Sequence, residues 1–184
     1  MALRVAINGF GRIGRATARR STGFGMVVKT YMRTVGSGDP IPEGVELCAS
    51  MEEVLATSDF VSLHLPLSDQ TRKWFNAERI AIMKPGAIVI NTARGGLIDE
   101  AALVAALHSG QLGGAGLDVF EGEPNIWSEL ASAPNTYLLP HVGSATVETR
   151  RAMGDLMVEN LVLHFAGKPV KTPVPECAAV QGAS

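Results

Sequence analysis

Two shortages in this sequence exclude whole classes of protein. Charged residues make up only 18% of the 184 residues and the net charge is −2, so a basic face for nucleic acid is not expected. Long apolar runs are also missing, and none approaches the roughly 20 residues of a membrane span. The N-terminal run is not typical of a signal peptide, because Asn8 and Arg12 interrupt it. We therefore expect neither nucleic acid nor a membrane as a partner.

Cysteine is equally scarce. Cys48 and Cys177 have no C-x-x-C spacing, which fits a reducing compartment and does not fit a disulfide framework. Without a targeting signal, the cytoplasm is the expected location. No metal site is predicted.

Globular composition and an alternation of strand and helix patterns are what the sequence does have. Hydrophobic residues make up 46% of the chain, which is enough for one good core. Apolar runs predict strands at 4–8, 26–31, 60–67, 87–91, 114–120 and 136–140, with helices at 12–23, from 50, and at 76–83, 99–110 and 144–167. Ser50, Asn76 and Asp99 are the predicted cap residues of three of these helices. This alternation predicts an α/β fold, a doubly wound parallel sheet of the Rossmann type. We expect a single domain over 1–168 and an extended or disordered tail over 169–184.

The segment VAINGFGRIG, residues 5–14, carries the first functional motif. Gly9, Gly11 and Gly14 are spaced G-x-G-x-x-G between a predicted strand and a predicted helix. In a dinucleotide site these glycines allow a tight turn, a close backbone approach to a pyrophosphate, and close packing of helix on strand. The free N–H groups of the helix start would face the anion, and Arg12 could reach a phosphate. The motif predicts dinucleotide binding, and a plain turn is the less favoured alternative.

The end of the second predicted strand bears on the choice between NAD and NADP. NAD enzymes of this fold usually place an acidic residue about 20 residues after the glycines, where it bonds the ribose 2′-hydroxyl. Here Arg33 and Thr34 follow Met32, and no acidic residue occupies that strand end. A cation and a hydroxyl suit a 2′-phosphate, which favours NADP. NAD is the alternative if Arg33 is simply exposed.

Three polar side chains follow the later strands and suit hydride transfer to a carbonyl group. That reaction builds negative charge on the carbonyl oxygen, so the site needs a cation and a proton donor. Arg94 offers a bidentate fork to a carboxylate, and His141 beside Glu123 can act as an acid near neutrality. Each also has a purely structural interpretation. Arg94 could be a surface loop residue, Glu123 an exposed acid and His141 a core histidine. Because all three follow strand ends at the same edge of one sheet, we expect them to lie close together, which favours a catalytic role.

Four segments occur in an order that resembles a known family: FVSLHLPLSDQT, NTARGGLIDEAAL, GAGLDVFEGEP and LLPHVGSAT. Together they resemble the NAD(P)-binding domain of the D-isomer-specific 2-hydroxyacid dehydrogenases, nearest to the glyoxylate/hydroxypyruvate reductases. The resemblance implies an oxidoreductase that transfers a hydride between NAD(P)H and a small 2-oxo acid. It implies that Arg94 polarises the substrate, that His141 is the acid/base, and that Glu123 orients and tunes His141.

The same resemblance implies a set of cofactor contacts. They are Arg12 and Ile13 at the pyrophosphate, Arg33 and Thr34 at the adenosine ribose, Pro66 and Thr71, and Thr92, Ala93, Asp118 and Gly143 on the nicotinamide side.

Two features depart from that family. Its members carry a substrate-binding lobe before this domain and a helical connection that helps to form a dimer, and neither precedes the glycine motif here. We expect a truncated domain, and a homodimer stays an open alternative. The opening INGFGRIGR also resembles glyceraldehyde-3-phosphate dehydrogenase through Asn8 and Arg15, but the Ser-Cys-Thr-Thr nucleophile motif of that family is absent. The alternative to a reductase is a non-catalytic dinucleotide-binding module or nucleotide-sensing scaffold. Without the substrate-binding lobe, the substrate would lie in an open cleft filled with water, where electrostatic stabilisation is weak.

Overall fold

The structure, a computed structural model, describes residues 2–32 and 41–174. The chain divides into two units, one ending at His141 and the other beginning at Val142. The first unit holds a sheet with its flanking helices, and the second holds one long helix and the segment after it.

In the described part of the first unit, seven strands form one parallel sheet. They are β1 (Arg4–Asn8), β2 (Val27–Thr30), β3 (Val45–Leu47), β4 (Phe60–Leu63), β5 (Ala87–Asn91), β6 (Leu112–Leu117) and β7 (Thr136–Leu138). The strand order is β3-β2-β1-β4-β5-β6-β7, and every neighbouring pair is parallel. The order reverses between β1 and β4, where a doubly wound sheet opens a crevice at its carboxyl edge. The predicted fold class is confirmed.

The helices fall where the sequence patterns predict them, with one addition. They are α1 (Arg12–Gly23), α2 (Met51–Thr57), α3 (Ala77–Ala81), α4 (Glu100–Ser109), α5 (Ser128–Ala131) and α6 (Val147–Phe165), with a 3-10 turn over Gly95–Leu97. The four-residue α5 was not predicted, and neither was β3, because such short elements carry too few residues for a periodic pattern.

Side-chain caps start three of the helices described in the first unit. Ser50 Oγ accepts a hydrogen bond from the Glu53 amide, and the Glu53 carboxylate accepts one from the amide of Ala49, the residue before the cap, in a variant of the capping box at α2. Asn76 caps α3 and Asp99 caps α4 through the same type of bond. All three caps were predicted from the sequence and are confirmed.

Apolar clusters cover both faces of the sheet. Val5 and Ile7 of β1 pack in a small cluster with Val28, whereas Ala6 belongs to the larger cluster on the other face. Coverage on both sides explains why the strands are nearly continuous apolar runs.

An acidic side chain ties together three segments at the amino edge of the sheet. Asp59, just before β4, accepts hydrogen bonds from the Arg4 amide at 2.7 Å and from Lys84 Nζ at 2.7 Å. The hydrogen bond from Lys84, followed by the one from Arg4, lowers the pKa of Asp59 below its ordinary value. This clamp lies at the edge opposite to the crevice.

The second unit begins with a capped helix. Thr146 accepts a hydrogen bond from the Thr149 amide at the start of α6. Farther along, Asn160 Oδ1 accepts from the Lys171 amide at 2.8 Å, and Lys171 Nζ lies 2.9 Å from Glu159. The described part of the predicted tail therefore contacts α6. None of the described helices is long and apolar enough to cross a membrane.

Candidate functional site

The three glycines of the β1–α1 turn are needed for three different reasons. Gly9 has φ +99°, and a Cβ atom on it would lie 2.5 Å from the carbonyl carbon of His64. A Cβ atom on Gly14 would overlap the carbonyl oxygen of Gly9. Gly11 has no heavy atom within 4 Å of its Cβ position, so the space beside it is open. The turn and the packing require Gly9 and Gly14, and the open space at Gly11 fits a pyrophosphate approaching the start of α1.

Two adjacent cavities open at the carboxyl edge around this turn. The first, of about 610 Å³, is lined by Asn8, Gly9, Phe10, Tyr31, Met32, Ser50, Met51, Glu52, Leu65, Pro66, Ser68, Gln70, Thr71, Trp74 and Arg79. The second, of about 670 Å³, is lined by Gly11, Arg12, Ile13, Gly14, His64, Leu65, Pro66, Leu67, Thr92, Ala93 and Arg94. Both volumes lie in the range of ligand sites. The shared wall at Leu65 and Pro66 makes the pair suitable for a ligand with two halves joined by a pyrophosphate.

Most of the predicted cofactor residues line these cavities. Gly9, Pro66 and Thr71 line the first, and Gly11, Arg12, Ile13, Gly14, Pro66, Thr92 and Ala93 line the second. Arg94, predicted as a catalytic residue, also lines the second cavity. Arg33 and Thr34 lie outside the described residues. Asp118 is only 3% exposed and lines neither cavity, and Gly143 belongs to the second unit.

The loop that carries Arg94 is fixed by the last residue of β5. Asn91 is fully buried; its Nδ2 donates to the Arg94 carbonyl at 2.9 Å, and its Oδ1 accepts from the Ala93 amide at 3.0 Å. Arg94 itself is exposed, and its Nη1 donates to the Ala93 carbonyl. The buried amide thus fixes the backbone of Arg94, a residue that lines the second cavity.

The Arg94 loop packs directly on the loop that carries Glu123. A Cβ atom on Gly95 would overlap the backbone carbonyl of Phe120. The Phe120 amide donates to Glu123 Oε1 at 2.9 Å. The close approach at Gly95 therefore joins the two loops that hold the predicted cation and the predicted carboxylate.

Glu123 and His141 form a hydrogen-bonded pair. The distance from His141 Nδ1 to Glu123 Oε2 is 2.7 Å, and both side chains are partly exposed. The bond from His141, followed by the bond from Phe120, lowers the pKa of Glu123 below its ordinary value. An ionised Glu123 holds a proton on Nδ1, which leaves Nε2 as the nitrogen that can exchange a proton with a ligand. The pair lines neither cavity and lies beyond the ends of β6 and β7.

Sequence reasoning missed His64, which lines the second cavity together with Arg12 and Arg94. Its Nε2 lies 2.9 Å from Ser62 Oγ, and burial lowers the pKa of His64. The ring is therefore neutral near neutral pH and adds no positive charge beside the two arginines. Its position directly after a strand that ends at the carboxyl edge was a usable signal.

The fold and these cavities define a dinucleotide-binding domain of the doubly wound type. Residues 1–143 match the family model described as "D-isomer specific 2-hydroxyacid dehydrogenase, NAD binding domain". The chain belongs to this family, and the predicted resemblance is confirmed.

Named relatives agree with this assignment. A glyoxylate reductase of Pyrococcus furiosus is 48% identical over 164 residues, which are 89% of this chain and 48% of the relative. A hydroxyphenylpyruvate reductase of Plectranthus scutellarioides is 44% identical over 171 residues, 93% of this chain and 53% of the relative. The chain spans about half the length of the curated relatives it matches.

Solved structures give the same picture of the fold. The NADPH-dependent glyoxylate/hydroxypyruvate reductase of Sinorhizobium meliloti, in complex with NADP and malonate, is 42% identical with a TM-score of 0.87. The match covers 95% of this chain and 54% of that one. A D-isomer-specific 2-hydroxyacid dehydrogenase structure from Polaromonas superposes with a TM-score of 0.88 at 38% identity, over 95% of this chain and 55% of that one.

Proposed function

We propose that this chain is the cofactor-binding and proton-transferring part of a cytoplasmic reductase. It transfers a hydride between NAD(P)H and a small 2-oxo acid of the glyoxylate or hydroxypyruvate type, and it favours NADP over NAD. The observation that carries the proposal is the 2.7 Å hydrogen bond between His141 and Glu123, on a loop joined at Gly95 to the loop of Arg94. The reductase names of the relatives support the substrate class.

The chain's residues would hold the cofactor across both cavities. The amides at the start of α1, together with Arg12, would bind the pyrophosphate beside Gly11. The nicotinamide, when bound, supplies or accepts the hydride. Thr92 and Ala93 line the cavity on the Arg94 side and would contact that half of the cofactor. Asp118 and Gly143 would contribute from outside the cavity walls, and Arg33 and Thr34 would bind the adenosine ribose.

Arg94, His141 and Glu123 would divide the chemistry of the substrate. The planar guanidinium of Arg94 would bind the carboxylate and draw electron density from the 2-oxo group. As the hydride reaches C2, His141 Nε2 would give its proton to the developing alkoxide. The ionised Glu123 would keep His141 in the orientation and tautomer that this step requires.

A non-catalytic dinucleotide-binding module is the second candidate. The observation that favours it is the exposure of Arg94, since a guanidinium in contact with water stabilises a transition state poorly. The half-length match to the relatives is consistent with this alternative as well.

One titration separates the two candidates. The purified chain is titrated with NADPH and with NADH, and glyoxylate or hydroxypyruvate is then added to the same sample while nucleotide oxidation is followed. Binding with oxidation supports the reductase, and binding without oxidation supports the module. Absence of binding to either nucleotide contradicts both.

A further inference from the structure

Two asparagines end buried strands of the same sheet but differ in their hydrogen bonding. Asn8 is the last residue of β1 and is 1% exposed; Asn91 is the last residue of β5 and is 0% exposed. Both ends of the Asn91 side chain are hydrogen-bonded to its own loop. The Nδ2 atom of Asn8 has no hydrogen-bond partner among the residues that the structure describes.

An unpaired buried amide destabilises a folded chain, because the group loses its hydrogen bonds to water and gains none in return. The backbone of Asn8 is satisfied, since its carbonyl accepts from the His64 amide at 2.7 Å. The neighbouring β1 side chains, Ala6 and Ile7, pack in apolar clusters. An apolar side chain would therefore suit this position better than an amide, unless the amide binds something that enters the site.

The surroundings of Asn8 indicate what would enter. Asn8 lines the first cavity, together with Gly9 and Phe10 of the phosphate loop and Tyr31 and Met32 after β2. Arg94 lines the second cavity, on the other side of the shared Leu65 and Pro66 wall. A dinucleotide with its pyrophosphate at the β1–α1 turn and its nicotinamide toward Arg94 would place its adenosine half in the cavity that Asn8 lines.

We propose that Asn8 is a cofactor-binding residue that donates a hydrogen bond from Nδ2 to an acceptor atom on the adenosine half of the dinucleotide. This inference rests on the proposed function, because it takes the dinucleotide as the ligand. Adenosine offers suitable acceptors in its ribose oxygens and its ring nitrogens. The amide of Asn8 then lowers the stability of the ligand-free chain and raises its affinity for the dinucleotide.

One other buried nitrogen of the described residues lacks a partner, Arg79 Nε, and it also belongs to a residue of the first cavity. The Arg79 guanidinium already has interactions within the chain. It lies 4.4 Å from the centre of the Trp74 ring, and its Nη1 donates to the Trp74 carbonyl at 2.8 Å. Asn8 has no such alternative, so the inference is drawn for Asn8.

The test uses the full chain and three probes. ADP-ribose contains the adenosine half, reduced nicotinamide mononucleotide lacks it, and NADPH contains both halves. Asn8→Leu removes the donor and keeps the branching at Cγ, and Asn8→Ala separates loss of the donor from the steric effect of the larger leucine on the cavity. Affinity is measured by calorimetry, and stability of the ligand-free chain by thermal unfolding.

In both variants we expect the affinity for ADP-ribose and for NADPH to fall by roughly 3–10-fold, the effect of one lost hydrogen bond. The affinity for the mononucleotide stays unchanged. Ligand-free Asn8→Leu unfolds at a higher temperature than the wild type, because an unpaired buried amide has been removed. The matched control, Asn91→Leu, unfolds at a lower temperature, because its amide is fully bonded.

Three results would overturn the inference. If the wild type and both variants bind ADP-ribose equally, Asn8 makes no contact with adenosine. If the affinities for ADP-ribose and for the mononucleotide fall alike while ligand-free stability also falls, Asn8 has a structural role. If the wild type binds ADP-ribose and NADPH not at all, the proposed function fails with it, whereas the first two results leave that function standing.

Discussion

The backbone of Phe120 passes so close to Gly95 that no side chain fits between them. This approach joins the end of the β5 segment to the loop after β6. Arg94 precedes Gly95, and the Phe120 amide bonds Glu123, so one contact between two backbones holds the predicted cation and the predicted carboxylate of the site.

Gly95→Ala tests that contact. The added methyl group would push the two loops apart, and we expect a loss of stability of about 1–3 kcal/mol, typical of overpacking. Any turnover should fall as well, because Arg94 and Glu123 would shift relative to each other. Thermal unfolding and a turnover assay measure the two effects.

The matched glycine control lies in the middle of α6. A Cβ atom on Gly154 would meet no heavy atom within 4 Å, and alanine is the better helix former. We expect Gly154→Ala to stabilise the chain by about 0.5–1 kcal/mol. If both alanine variants changed stability alike, the contact between Gly95 and Phe120 would not be restrictive.

The His141–Glu123 pair is tested by substitution on each side. If His141 is the acid/base, His141→Ala should lower turnover by about 10²–10⁴-fold and leave the affinity for NADPH nearly unchanged. Glu123→Gln keeps the shape of the side chain but removes its charge, so turnover should again fall with little change in affinity. Equal losses of affinity and turnover would contradict the assigned roles.

The Asp59 clamp predicts a specific dependence of stability on pH. The folded-state pKa of Asp59 is lowered, so its contribution is fully present above the unfolded-state pKa and is lost as pH falls through the folded-state pKa. We expect Lys84→Met to lower the free energy of unfolding by about 1 kcal/mol near neutral pH, and by less in acid.

Urea unfolding of the wild type and of Lys84→Met, at neutral pH and in acid, measures the change in the free energy of unfolding. Lys171→Met is the control, because Lys171 and Glu159 form an ion pair with more exposed side chains, for which a smaller effect is expected. If Lys84→Met lowered the free energy of unfolding by the same amount at neutral and at acid pH, the effect would not come from the ion pair with Asp59.

The choice of cofactor is tested at Arg33, whose role is a prediction from the sequence. If its guanidinium binds a 2′-phosphate, Arg33→Ala should weaken NADPH binding by roughly tenfold, the loss of one charge-assisted bond, and change NADH binding little. Parallel titrations of the variant with the two nucleotides measure the ratio. A parallel loss for both would make Arg33 a structural residue and remove the preference for NADP.

The features predicted correctly are those in which chemistry and position coincide in a short segment. The cap residues Ser50, Asn76 and Asp99 mark helix starts because their side chains compete for backbone amides. The bond between His141 and Glu123 was expected because parallel strands end at one edge of a sheet, whereas the catalytic roles of Arg94, Glu123 and His141 stay predictions.

What escaped prediction depends on three-dimensional context. The strand β3 has three residues and an exposed Glu46, so it lacks the apolar run that identified the other strands. The unpaired amide of Asn8 is a property of its surroundings, and no spacing in the sequence reports it. The strand end before His64 was a signal for its place in the site, but the burial of its ring was not readable from the sequence. The contact of Gly95 with Phe120 likewise joins segments that lie 25 positions apart.

The position of the Asp59 clamp has a consequence for how this chain could evolve or be engineered. Asp59, Arg4 and Lys84 meet at the amino edge, whereas the loops that carry Arg94 and Glu123 leave the opposite edge. Changes at sites with no shared partners act additively on folding. Substitutions that strengthen the amino edge could therefore offset the loss of stability caused by changes in the loops at the opposite edge.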